Sequence, residues 1–158
     1  MTIDLPIPIS RAVTILIIVA LVSFWQVSGF SLFDVRPNLA LAAALAGLFF
    51  VNRLDGAVLV AVASLILKFA PGYNLEILIF SLLGFTAVFL KNYLPWQNIF
   101  NAPALVVVAT ILFYLILAPQ LLMTPLFVKE LILNTAAGVI CFLVFSQLLR
   151  SLHMKGEE

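Results

Sequence analysis

The chain predicts an all-α, polytopic integral membrane protein with about six transmembrane helices. Three observations carry that expectation. Of 158 residues, 65% are hydrophobic and 9% charged, with a mean hydropathy of +1.24, whereas soluble domains carry about 25% charged residues. The apolar residues gather into six segments, at 12–33, 37–51, 56–70, 75–90, 102–118 and 126–149. The breaks between them and the two flanks together hold most of the prolines and charges. Six such segments, none with a polar face, cannot all be shielded by so small a chain, so lipid must cover the remainder. Residues 1–158 read as a single membrane domain.

An α-helix rises about 1.5 Å per residue, so crossing a ~30 Å hydrocarbon core takes about 20 residues. The first and sixth segments are long enough to cross with some tilt. The second to fifth sit at the lower limit and need flanking residues, a thinned bilayer or a broken helix. The first segment follows MTIDLPIPISR and leads to no small-residue cleavage site, so it is expected to remain as a helix and insertion signal. Pro37 opens the second segment, where a residue without an amide hydrogen is tolerated. Asp55 stands where it can cap the third, and Pro71-Gly72 where it can end it. Asn74 is placed to cap the fourth, with Glu76 in its first turn. Lys91-Asn92-Tyr93-Leu94-Pro95-Trp96 reads as interfacial, because tyrosine and tryptophan favour the headgroup level. Pro119 and Pro125 bracket the last connection.

The net charge of +1 leaves no polybasic patch for nucleic acid or anionic lipid. With six spans both termini share a side. Arg11, Arg53, Lys91, Arg150 and Lys155 fall on that side and Arg36, Lys68 and Lys129 on the other. Positive residues favour the cytoplasm, so both termini are expected inside.

Candidate chemistry is sparse. His153 has no partner at metal-ligand spacing. Ser23, Ser64, Ser81 and Ser146 lack a nearby embedded base and are expected to bond carbonyls one turn back or bridge helices. Cys141 reads as a small buried hydrophobe, and Gly47, Gly84 and Gly138 as packing positions. Nearly every charge sits at a segment boundary. Lys68 is the nearest exception, and either snorkels or faces a polar cavity, with Glu76 close across the turn. The lack of embedded acids argues against an ion-coupled transporter or a membrane enzyme; no cofactor or metal is expected. Small residues recur four apart, at Ala40/Ala44, Ala43/Gly47 and Ala57/Ala61, which suits either a docking face for another membrane protein or internal packing.

One stretch is more specific than its composition. Phe24-Trp25-Gln26 closes the first segment. Asp34-Val35-Arg36-Pro37-Asn38-Leu39 leads into the second, Arg53-Leu54-Asp55-Gly56-Ala57 separates the second and third, and Pro71-Gly72 ends the third. Over residues 12–90 this resembles the rod-shape-determining membrane protein family MreD. That family typically shows a late glutamine in the first helix, Pro-Asp-Leu or Pro-Asn-Leu at the start of the second, and a basic residue and glycine before the third. Gln26, Arg36, Pro37, Asn38, Arg53 and Gly56 occupy those places. The chain departs from the pattern at Lys68, where the family usually carries an aspartate, and in a glycine-poor third helix.

The resemblance implies a non-catalytic component of the bacterial cell-elongation machinery in the inner membrane. It would bind the bitopic scaffold MreC and help link the actin-like filament to peptidoglycan synthesis, without a cofactor. The expected partner or ligand surface comprises Gln26, Asp34, Arg36 and Asn38 with the small-residue face Ala40, Ala43, Ala44 and Gly47. In helical layout the chain is similar also to S-components of energy-coupling-factor vitamin transporters. That likeness implies an outer ligand pocket, for which Trp25, Gln26, Arg36, Asn38, Tyr73, Asn74, Glu76 and Gln120 are the available groups. An accessory subunit of a larger membrane complex is a third reading.

Overall fold

The computed structural model describes residues 9–29, 31–68, 74–95 and 97–154. Residues 1–8, the expected turn at Pro71-Gly72, Tyr73, Trp96 and Lys155 lie outside the described residues, as do the side chains of Asn74 and His153.

Among the described residues six α-helices follow in order: α1 (Ile9–Val27), α2 (Leu39–Gly47), α3 (Arg53–Leu67), α4 (Asn74–Leu90), α5 (Asn98–Leu117) and α6 (Pro125–Met154). The segments Leu75–Tyr93, Asn98–Leu117 and Pro125–Arg150 are long and apolar enough to cross a membrane by length and composition. The chain is therefore an all-α polytopic membrane protein, as its composition predicts.

Helix boundaries depart from expectation where backbone chemistry intervenes. The first helix ends at Val27 rather than at residue 33. Gly29, with φ +85°, donates its N–H to Gln26 O at 3.1 Å and turns the chain out of the helix. Leu32 and Val35 then exchange both backbone hydrogen bonds, at 2.8 and 3.0 Å, around Phe33 (φ 54°) and Asp34 (φ 64°). Two consecutive positive φ values mark a type I′ turn. At its tip Phe33 is 72% exposed. At α3 the cap is Asn52, not Asp55: Asn52 Oδ1 accepts from Asp55 N at 2.8 Å, leaving Asp55 in the first turn. The fifth helix starts at Asn98, four residues before expectation, because Phe100 and Asn101 both donate to Gln97 O; Pro103 thus falls inside it. Thr124 and Pro125 open α6, where Thr124 Oγ1 accepts from Phe127 N at 3.4 Å.

The second helix is the centre of the fold. Its 9 residues span about 14 Å at 1.5 Å each, about half a hydrocarbon core. All five other helices pack on it, and residues 40–47 are buried throughout. Alanine and glycine permit this, since small side chains let backbones approach closely in lipid. A Cβ on Gly47 would lie 3.0 Å from Ile15 Cγ2 and 3.3 Å from Leu59 Cδ1. The stripe Ala40, Ala43, Ala44 and Gly47, expected as a docking face, is therefore internal. The second of the two readings of small-residue spacing holds: a half-length helix cannot reach both membrane faces and is buried among longer ones. Elsewhere α3 and α4 meet as closely. A Cβ on Gly84 would stand 2.6 Å from Val60 Cγ1, and Ser81 Oγ donates to Ser64 Oγ at 2.9 Å between the two helices.

Candidate functional site

Because α2 starts inside the bundle, its first N–H groups have no water to bond and need protein acceptors. Each finds one. Asn38 N donates to Asn134 Oδ1 of α6 at 2.7 Å. Leu39 N donates to Pro37 O at 3.0 Å. Ala40 N donates to Gln26 Oε1 of α1 at 2.7 Å. Leu41 N donates to Asn38 Oδ1 at 3.1 Å, the usual asparagine cap. Gln26 Nε2 also donates to Asn38 Oδ1, at 3.3 Å.

The network continues outward. The backbone N–H of Asn38 can only donate, so it fixes the carboxamide of Asn134 with its oxygen inward. The Asn134 NH2 group then donates to Thr110 Oγ1 of α5 at 3.3 Å and meets Glu130 one turn before it. The hydroxyl of Tyr114 donates to Glu130 Oε2. Glu130 is 6% exposed and Asn134 1%. Four helices, α1, α2, α5 and α6, are thus joined by one chain of polar side chains.

This network forms one wall of a cavity of about 380 Å³. Gln26, Asn38, Tyr114 and Glu130 line it from the network side, and Glu76 of α4 from across. Arg36, exposed, stands at its mouth beside Gly29. Phe80, Phe113, Ile77, Leu67 and Val27 supply the apolar lining. Concave volume with a few convergent polar groups on an apolar wall is the ordinary form of a small-molecule site.

Of the expected surface residues, the cavity brings together Gln26, Arg36 and Asn38, joined by Glu76 from the outer-pocket set. Asp34 is exposed in the turn and is not in the lining. Trp25 and Gln120 are exposed. Lys68 is exposed at the C-terminal cap of α3, while Glu76 faces the cavity. The expectation of no embedded acid is corrected by Glu130. It stands near a segment boundary in sequence, but α6 is 30 residues long and its early turns pack inside the bundle, so a residue near the helix start is buried. Sequence reasoning missed Thr110, Tyr114, Glu130 and Asn134. The available signal was spacing: both pairs are four apart, and such polar pairs share one face of an apolar helix. Comparisons with family models, with curated proteins and with solved structures give no match.

Proposed function

We propose that this chain is a non-catalytic membrane subunit of the MreD type, acting in the bacterial cell-elongation machinery by holding a bitopic MreC-type scaffold. The observation that supports it is local. Gln26, Pro37 and Asn38, three of the residues that carry the sequence resemblance, accept the N–H groups of Ala40, Leu39 and Leu41 at the start of α2. These three residues of the motif thus share one structural task. With α2 internal, partner binding falls to an outward face. Val13, Ile17, Leu21 and Phe24 form an exposed stripe on α1 at the spacing of one helix side. Co-expressed with an MreC-type protein, the chain should co-purify with it in mild detergent, and Leu21→Arg should abolish capture without loss of folded protein. Recovery of the wild-type chain alone, with both proteins in the membrane, defeats this reading.

In the bacterial inner membrane the charge distribution favours cytoplasmic termini, which turns the cavity outward. Single cysteines at Ser10 and Glu157 in a Cys141→Ala background should resist an impermeant thiol reagent in intact cells; labelling of either overturns that orientation.

A second reading is favoured by the cavity itself: a ligand-binding subunit similar in role to transporter S-components. It requires a small molecule to stabilise the purified chain, which the scaffold reading does not.

A further inference from the structure

We propose that the cavity between α1, α4, α5 and the buried start of α2 is a binding site for an organic cation, a protonated amine or quaternary nitrogen carried on a flat apolar body. The inference rests on the second reading above and names its ligand class.

The charges in the lining do not balance. Glu76 and Glu130 are acids, and among the described residues of the lining Arg36 is the single basic one. The groups around Glu130 are arranged as donors. Tyr114 presents its hydroxyl. Asn134 must present its NH2, because its oxygen is taken by Asn38 N. Two donors suit a carboxylate, which can only accept. The positive end of the α2 dipole offers little more, since Asn38 and Gln26 already occupy its first amides. Arg36 lies exposed at the mouth, where water screens it, while Glu130 sits at depth. An uncompensated carboxylate is costly in so poorly solvated a place, and a guest cation compensates it.

The aromatic part of the lining decides between a metal ion and an organic one. Phe80, Phe113 and the ring of Tyr114 line the cavity, and the rings of Phe113 and Tyr114 stand edge to face at 6.2 Å. Aromatic faces attract a cationic nitrogen and accept the hydrocarbon attached to it; they offer nothing to a hydrated metal ion. Among the described residues no group of three or more His, Cys, Asp or Glu side chains comes together. The volume of about 380 Å³ accommodates one ring with a short chain.

The test uses the full chain in detergent and three probes that share a 2-phenylethyl body: 2-phenylethylammonium, 2-phenylethanol and 3-phenylpropanoate. The ammonium should raise the melting temperature at about 1 mM, and the neutral and anionic probes should do so at least about tenfold less effectively. Glu130→Gln should weaken ammonium binding about tenfold or more, Glu76→Gln by a smaller factor, and Arg36→Ala should leave it unchanged or tighter. Should Glu130→Gln fail to fold, Glu76→Gln and Arg36→Ala still report the charge preference. Preferential stabilisation by the carboxylate or the alcohol overturns the cation assignment and leaves the cavity as a ligand site. Unchanged ammonium affinity in both glutamine variants overturns it too. Silence from all three probes with a folded protein overturns the cation assignment and the ligand reading together.

Discussion

The two ends of α2 face one problem and answer it with different chemistry. Both pack within the bundle, and each leaves backbone groups that need partners. The N-terminal end exposes N–H donors and needs acceptors. Three neutral carboxamides answer, Gln26 from α1, Asn38 from the cap and Asn134 from α6. The C-terminal end exposes carbonyls and needs donors. There Lys91, beyond the end of α4, donates its ammonium to Leu48 O and Val51 O, which also places a cation at the negative end of the helix dipole. A carboxamide both accepts and donates, so each one used at the N-terminus hands a second group to its neighbours. The network therefore spreads to Thr110 and Glu130 and borders a cavity. The C-terminal end is closed around Gly47 by Ile15, Leu59 and Phe145. One end of the helix is adaptable polar surface and the other is tight apolar packing.

The comparison breaks hardest at Gly47. Gly47→Leu drives a branched side chain into Ile15 and Leu59, which have no empty space to enter. Overpacking ordinarily costs about 1–3 kcal/mol and more where neighbours cannot shift. The expected outcome is loss of the monodisperse peak in size-exclusion chromatography; a folded protein lacking a partner would instead mean that the face points outward.

Next is the polar end. Asn134→Leu removes the acceptor of Asn38 N and the donor to Thr110, leaving buried polar groups unmatched at about 2–3 kcal/mol. Thermal unfolding should begin well below that of the wild type, while the chain still inserts in the membrane. Lys91→Met tests the opposite end. It frees two carbonyls, but Lys91 is only half-buried, so water can replace the ammonium, and about 1 kcal/mol is expected. A larger loss for Lys91→Met than for Asn134→Leu would mean that the carbonyls at the C-terminal end depend on their donor more than the N-terminal amides depend on their acceptors.

The smallest effect belongs to the turn that feeds α2. Phe33 holds a left-handed conformation that costs a bulky residue about 1–2 kcal/mol. The double change Phe33→Asn, Asp34→Gly installs the pair that type I′ turns prefer. It should raise the unfolding midpoint by the equivalent of about 1 kcal/mol; an unchanged midpoint would show that Phe33 gains as much from its surroundings as its backbone loses.

Much of this architecture is legible in the chain. Six apolar segments give six helices, because the hydrophobic requirement of lipid is written residue by residue. Asn38 and Gln26 stand out as polar interruptions, and both lie in the site. Serine behaviour was equally readable: Ser23 and Ser64 bond carbonyls one turn back, at 2.8 Å each, and Ser81 bridges to α3. Depth was not readable. Ala40, Ala43, Ala44 and Gly47 are as compatible with an outward face as with an interior, because lipid tails and protein cores are equally apolar. Glu130 looks like an interfacial charge from its place near a segment boundary. Its burial follows from which side α6 turns to Tyr114 in α5. Composition and spacing determined that the chain enters a membrane as helices. The central place of α2, and the gathering of Gln26, Asn38, Glu76, Glu130 and Asn134 around its buried start, were decided by tertiary packing alone, since only the meeting of helices far apart in sequence sets which polar groups lose water and must find one another.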